Sequence, residues 1–292
     1  MTNFTEPTAG EPARESARPL RERFEDLAWE LAAAAGPNGR EVTKEEIDAL
    51  WGHEDMTTAP TTQPIGPLVD AHPAKRPGRI TLQGRWVTLA PLDPDKHAAA
   101  LFEGSNGDAA RESVWNYLFD GPYRSLDDFR SNIELKARSA DPLFFAVVDN
   151  SSGRAVGYQT LMRIDAANRV IEVGNIMYTP AMQRTAGATE AQYLFARYVF
   201  DELGYRRYEW KCNNLNAPSK RAAKRFGFSF EGVFRQHMIV KGRNRDTAWF
   251  AMLDGEWPAR KAAYERWLAP ENFDAAGGQN LRLSDLMPEP AQ

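Results

Sequence analysis

The chain has 292 residues, of which 42% are hydrophobic and 11% aromatic, enough for a real core in one main domain with an appendage. A net charge of −4 gives no global support for nucleic-acid binding, and the lone cysteine, Cys212, excludes an internal disulfide framework. No N-terminal stretch suits a signal peptide and no run of about 18 apolar residues suits a membrane span, so a soluble cytoplasmic protein without nucleic-acid or membrane partners is expected.

Residues 1–18 are polar and rich in Pro, Glu, Thr and Ala, a composition that predicts disorder. Leu20, Phe24, Leu27, Ala28 and Leu31 then recur at helical spacing until Gly36-Pro37 ends the run. Thr43 and Glu46 form a capping box ahead of Ile47, Leu50 and Trp51. Residues 1–55 thus read as a partly disordered extension with two short helices, too small to fold alone. Met56 would serve as the first residue of a shorter protein, so the extension is read as optional. Residues 56–79 carry Pro60, Pro64, Pro67, Pro73 and Pro77 and read as a linker. The main domain is expected over 80–270, followed by a tail at 271–292.

Two short strand-like pieces, RITL and RWVTLA, open the main domain around a glycine. Helical stretches follow at about 94–104 and 125–139, with the aromatic segment SVWNYLFDGPY between them. FFAVVD (144–149) and AVGYQTLMRI (155–164) predict an antiparallel hairpin, and RVIEVGNIMY (169–178) a further strand. An amphipathic helix is expected from Ala188 to Leu203, then a strand at 206–213 and a short helix at 219–226 stopped by Gly227. FSFEGVFRQHMIV and DTAWFAML predict a final strand pair, and a last helix runs from about Trp257 to Leu268. This order indicates an α/β fold with a mixed, mostly antiparallel central sheet flanked by helices.

The junction QRTAGATEA (183–191) places small residues between a strand and a helix, where free backbone N–H groups can hold an anion. Neither a Walker loop nor a Rossmann fingerprint is present. A coenzyme A pyrophosphate loop fits the surroundings. IEVGNIMYTP, QRTAGATEA, RRYEWKCNNLN, N-A-P-S at 216–219 and KRFGF at 224–228 occur in one order. With these motifs, residues 80–268 resemble the GNAT N-acetyltransferase superfamily, in the branch of the RimJ/RimL-type ribosomal-protein N-terminal acetyltransferases. The fold is thereby identified as a GNAT fold behind a short helical extension.

The resemblance implies a direct, ternary-complex transfer of an acetyl group from acetyl-CoA to a primary amine: a protein N-terminus, an amino acid or a small amine. It also allows a homodimer. The backbone of Ile176, Met177 and Tyr178 would pair with the pantetheine. The loop amides at 183–188, from Gln183 and Arg184 through Ala186, Gly187 and Ala188, would cradle the pyrophosphate as Thr189 enters the helix. Ala186 stands where a glycine is usual. Asn216 would contact the pantetheine amides, Ser219 would donate to the leaving thiolate, and Glu172 would serve as the base. The tyrosine acid of many relatives is replaced by Ala223.

Arg221 and Lys224 lie on one helical face at i, i+3 and are candidates for the 3′-phosphate. Trp115, Tyr117 and Phe119 are candidates for the acceptor wall, or else core aromatics. Glu172 could equally form a cross-strand ion pair with Arg163, and Ser219 could equally cap its helix. His53, His72, His97 and His237 show no ligand spacing, so no metal is expected. Cys212 reads as a small buried thiol. The alternative to an enzyme is a non-catalytic GNAT-like module that binds an acyl-CoA or a protein partner.

Overall fold

Phe144 and Phe145 point to opposite faces of one strand, and each belongs to a separate hydrophobic core. The computed structural model describes residues 65–275 and 277–288, so the two helices expected before residue 56 lie outside the described residues. The strands are β1 (Leu82–Gln83), β2 (Val87–Pro91), β3 (Leu143–Asp149), β4 (Ala155–Asp165), β5 (Val170–Tyr178), β6 (Arg207–Asn213), β7 (Ser229–Val240) and β8 (Arg243–Leu253). The helices are α1 (Pro94–Ser105), α2 (Ala109–Glu112), α3 (Leu126–Arg138), α4 (Ala186–Arg197), α5 (Ala217–Arg225), α6 (Trp257–Leu268) and α7 (Leu283–Leu286). A five-residue π-turn, Tyr198–Glu202, extends α4.

The strands form one sheet in the order β1-β2-β3-β4-β5-β6-β8-β7. All neighbours are antiparallel except β5 and β6. That parallel pair needs a crossover, and α4 supplies it. Phe145, Leu161, Ile171, Val173 and Tyr208 pack with Leu194 and Phe195 of α4 and Tyr264 of α6. On the other face Phe144, Ala146 and Tyr158 pack with Leu101 of α1 and with Phe129 and Ile133 of α3.

Two departures from regular pairing make room for a site. Tyr158 pairs with Met177 and Thr160 with Gly174, so β5 uses one residue more than β4. This bulge holds Asn175 at φ +46°, a left-handed conformation that asparagine tolerates better than most residues. It also inverts the alternation of side chains. Ile171 and Val173 face α4, whereas Met177 joins the opposite core and Ile176 and Tyr178 turn toward the α4 side. The second departure is that β5 and β6 pair only from Val170–Arg207 to Val173–Trp210 and then separate. Beyond Gly174, β5 keeps β4 on one edge and turns its other edge to a gap.

The entry of α4 is fixed from beneath. Glu190, 5% exposed, accepts hydrogen bonds from the amides of Arg85 (2.7 Å), Trp86 (2.7 Å) and Val87 (2.9 Å). A Cβ on Gly84 would collide with that carboxylate, and one on Gly187 would come within 2.8 Å of Val87 Cγ1. The turn between β1 and β2 thus grips the first turns of α4.

The packed body is wider than the 80–270 boundary drawn from composition. Ala74 N donates to Ala166 O (2.9 Å), Lys75 N to Leu203 O (3.0 Å) and Gly78 N to Tyr198 Oη (3.0 Å). Leu283 is buried in the main core, and Phe273, Leu286 and Met287 pack against it. Proline content describes local stiffness, and the partners of Ala74, Lys75 and Gly78 lie far along the chain, at Ala166, Leu203 and Tyr198.

Candidate active site

A cavity of about 660 Å³ opens where β5 and β6 part, lined from both faces of the sheet. On the α4 face the loop before the helix supplies anion donors. Gln183 N donates to Thr179 O (3.2 Å), and Thr185 caps the helix by accepting from Ala188 N (3.1 Å). Between them, the amides of Arg184, Thr185, Ala186 and Gly187 have no protein acceptor among the described residues. Arg184 sits at φ +63°, which turns the chain so that successive N–H groups converge at the positive end of α4. The run of free amides is therefore narrower than the 183–188 that the family resemblance implied, because both end amides are already bonded. Four unaccepted amides beside a cavity of this size fit a diphosphate.

Gln183, Arg184 and Ala188 line the cavity, while Ala186 and Gly187 can offer only their amides. The Gln183 side chain folds back to donate to Tyr178 O (3.0 Å), which leaves the hollow open. Thr189 faces away, and its hydroxyl accepts from Arg225 Nη1 (2.9 Å). Ile176 and Tyr178 line the gap; Met177 is buried in the α1–α3 core, so only its main chain can reach a ligand. The Tyr178 hydroxyl is bonded to Gln159 and Gln192, and burial drives its pKa well up. Replacing Ala188 by leucine is expected to weaken acetyl-CoA binding about tenfold to a hundredfold by overfilling the wall. Calorimetric titration, with a thermal melt to confirm folding, checks this; unchanged affinity would place the donor elsewhere.

Ser219 also lines this side. Asn216 caps α5 by accepting from Ser219 N (3.1 Å), so the capping role of this motif is real. The Ser219 hydroxyl is separately oriented by the Trp210 indole N–H, which donates to Oγ at 3.0 Å. An indole can only donate, so the hydroxyl keeps its own proton, which the neighbouring Cys212 sulfur or an acceptor in the cavity can receive. Arg221 lines the cavity and Lys224 does not. Ala223 is fully buried. Cys212 is a buried thiol whose pKa is raised by that burial, which disfavours a nucleophilic thiolate.

The opposite face carries charge. Glu172 is 5% exposed; its Oε2 accepts from Lys211 Nζ (2.9 Å) and forms an ion pair with Arg163 Nε (3.1 Å). Its Oε1 lies on the Gly174 side with no hydrogen bond among the described residues. Burial raises the Glu172 pKa, and the pull of Lys211 and Arg163 only partly opposes it. The ion pair with Arg163 and a place in the cavity therefore hold together.

Lys211 also bonds Glu209 and sits 3.8 Å from the Trp249 ring centre. His237 and Arg245 reach the same region from β7 and β8. Desolvation, with Arg163, Arg245 and Lys211, holds the His237 ring below its usual pKa.

Tyr117 and Phe119 line the cavity, 37% and 48% exposed. Trp115 does not: it is 1% exposed, donates to Ser105 O at 2.7 Å and packs edge-on against Tyr123 and Phe129. Lys241, at the β7–β8 turn, donates to the carbonyls of Trp115 (3.0 Å), Asp120 (2.7 Å) and Gly121 (3.0 Å) and ties this wall down. Trp210, Lys211, His237, Thr247 and Arg245 are site residues that the motifs did not single out. Alternation of Glu209, Lys211 and Asn213 on one face of β6 is the only local signal for any of them.

A splayed parallel pair, an open helix N-terminus on one face and an ionic pocket on the other are the features an acyltransferase with a phosphorylated acyl donor requires. Residues 87–229 match the family described as acetyltransferase (GNAT) domain. A GCN5-related N-acetyltransferase from Brucella melitensis is 54% identical, over 74% of this chain and 98% of that one, with a TM-score of 0.72. A probable acetyltransferase (GNAT family) from Chromobacterium violaceum ATCC 12472 is 41% identical, over 69% of this chain and all (100%) of that one, with a TM-score of 0.62. Among curated relatives, the Bacillus subtilis (strain 168) protein named "Putative ribosomal N-acetyltransferase YdaF" is 26% identical over 177 residues, 60% of this chain and 95% of that protein. The chain belongs to the GNAT acetyltransferase family, an enzyme family that draws its acetyl group from acetyl-CoA. No helix among the described residues is long and apolar enough to cross a membrane.

Proposed function

We propose that the enzyme transfers an acetyl group from acetyl-CoA directly to a primary amine, with both substrates bound at once. The observation that carries this reading is the two-faced cavity. Anion donors and the Ser219 hydroxyl approach the β5–β6 gap from the α4 side, while Glu172 and the aromatic wall approach it from the other. The donor supplies a thioester when bound. The amides of Arg184 to Gly187 and the Arg221 side chain hold its phosphates, and the free edge of β5 and Asn216 hold its pantetheine.

Glu172 Oε1 takes one amine proton, directly or through one water; as the C–S bond breaks, Ser219 Oγ gives its proton to the departing sulfur and takes the nitrogen's second proton in its place. Deprotonating a lysine side chain at neutral pH costs about 3 pKa units, roughly 4–5 kcal/mol, whereas an α-amine costs about 1 unit. A carboxylate is a weak base even with its pKa raised, so this site suits an α-amine: a peptide N-terminus or an amino acid. The Bacillus subtilis relative is named a ribosomal N-acetyltransferase, which supports an amine acceptor without saying which amine.

Free-thiol release from acetyl-CoA with a panel of amines tests the reading; binding without turnover for every amine would support a purely binding module instead. Ser219→Ala is expected to lower kcat about a hundredfold with little change in acetyl-CoA affinity. A loss confined to affinity would refute the proton-donor role and leave the Ser219 hydroxyl only as an acceptor for the Trp210 indole.

A further inference from the structure

The charged side chains beneath the acceptor half of the cavity form a continuous series. Arg163 pairs with Glu172, Glu172 with Lys211, Lys211 with Glu209, Glu209 with Arg207, and Arg207 with Glu231. Three cations and three carboxylates alternate, so the series is neutral within itself. Arg245 stands outside it. Only 8% exposed, it has no carboxylate in ion-pair range among the described residues. Its Nε donates to Thr247 Oγ1 at 3.1 Å, and its guanidinium carbon lies 5.4 Å from the centre of the Phe119 ring. Among the described residues its two Nη groups have no acceptor, and the side chain lines the cavity.

A buried guanidinium without a counter-charge is unfavourable, and it persists where a ligand supplies the missing anion. Thr247 and Phe119 hold the fork in a fixed orientation, as bidentate recognition of a carboxylate requires. Its face of the sheet decides which substrate brings the anion. Asn213 of β6 pairs with Thr247 of β8, and Lys211 with Trp249, so Thr247 and Arg245 share the face of Lys211 and Glu172. The pyrophosphate amides and α5 lie on the other face, with Trp210 and Cys212. The coenzyme phosphates therefore have their own donors.

We propose that Arg245 anchors an anionic group of the acceptor, so that the amine acetylated is one that carries a carboxylate. This rests on the transferase reading above and adds a substrate class to it. Two sources share that chemistry: the α-carboxylate of a free amino acid, and an acidic side chain near a peptide N-terminus.

Thiol release is measured with matched acceptors, an amino acid against its carboxamide and a tripeptide with Glu at its second position against the same peptide with Gln. The native enzyme is expected to favour the charged member of one pair by about tenfold to a hundredfold in kcat/KM, and the pair concerned identifies the source. In Arg245→Gln that ratio should fall to about one, and Arg245→Lys should restore part of it. Equal use of charged and neutral members by the native enzyme, or an unchanged ratio in Arg245→Gln, would overturn the proposal.

A second measurement does not depend on turnover. N-acetylglycine, an anionic product mimic, and its amide are titrated calorimetrically into both proteins in the presence of coenzyme A. Binding of the acid alone, lost in Arg245→Gln, upholds the anion subsite even if no amine is acetylated, in which case the transferase reading falls by itself. Absence of any charge preference in this titration overturns the subsite even if amines are turned over. Thermal melts guard against misfolding: removing an uncompensated buried cation should leave the midpoint at or above the native value.

Discussion

Glu190→Ala is expected to remove about 3 kcal/mol or more of folding stability, the largest single loss in this domain outside its apolar core. The Glu190 carboxylate receives three backbone amides, those of Arg85, Trp86 and Val87, in a setting 5% exposed. Hydrogen bonds to a charged group contribute about 1.5–3 kcal/mol each, and an amide left buried without an acceptor costs a further 1–3 kcal/mol. Water entering the space vacated in Glu190→Ala would offset part of this, so the lower figure is the safer expectation. The effect should also reach the active site, because the same turn of chain seats the start of α4 and its free amides. Urea unfolding measures the first consequence and acetyl-CoA titration of the folded variant the second. A shift below 1 kcal/mol would mean that the three amides find other acceptors.

The second large effect is catalytic. Glu172→Gln should reduce kcat/KM about a hundredfold or more, the usual scale for losing a positioned general base. The variant keeps the shape of the side chain, and Lys211 keeps Glu209 as a partner, so folding should change little. The pH profile separates this role from simple ion pairing. Burial raises the Glu172 pKa, so on lowering pH its ionised form is lost earlier than for an ordinary carboxylate. Native activity should therefore fall away on an acid limb above the normal carboxylate range. In Glu172→Gln that limb should vanish, and in Glu172→Asp a weaker activity should retain it. An acid limb that survives in Glu172→Gln would assign the base to another group, and His237, which lines the same cavity, is the next to test.

Much of the fold could be read from the residues in order. The helices at Pro94–Ser105, Leu126–Arg138 and Trp257–Leu268, and the β3–β4 hairpin, fall where periodicity and turn chemistry place them. The parts that failed to show have a common cause. Trp115 and Tyr117 are two residues apart, yet one fills the α1–α3 core and the other lines the cavity. Nothing local separates them. Gly187 looks like a loop glycine for a ligand, but its missing side chain makes room for Val87, far earlier in the chain. The Asn175 bulge reverses which side chains face the α4 side of the cavity, and its effect appears only once β4 is paired alongside.

By itself the sequence determined the element order, the small-residue junction before α4 and the motif set that marks an acetyltransferase, because these depend on neighbours within a few turns of chain. Only the tertiary structure decided that Arg184 to Gly187 keep open amides, that Trp210 orients Ser219, and that Arg245 is left without a counter-charge. Each of those is a matter of which polar groups are already satisfied. That accounting closes across strands far apart in sequence, where solvent is excluded and every remaining donor is felt.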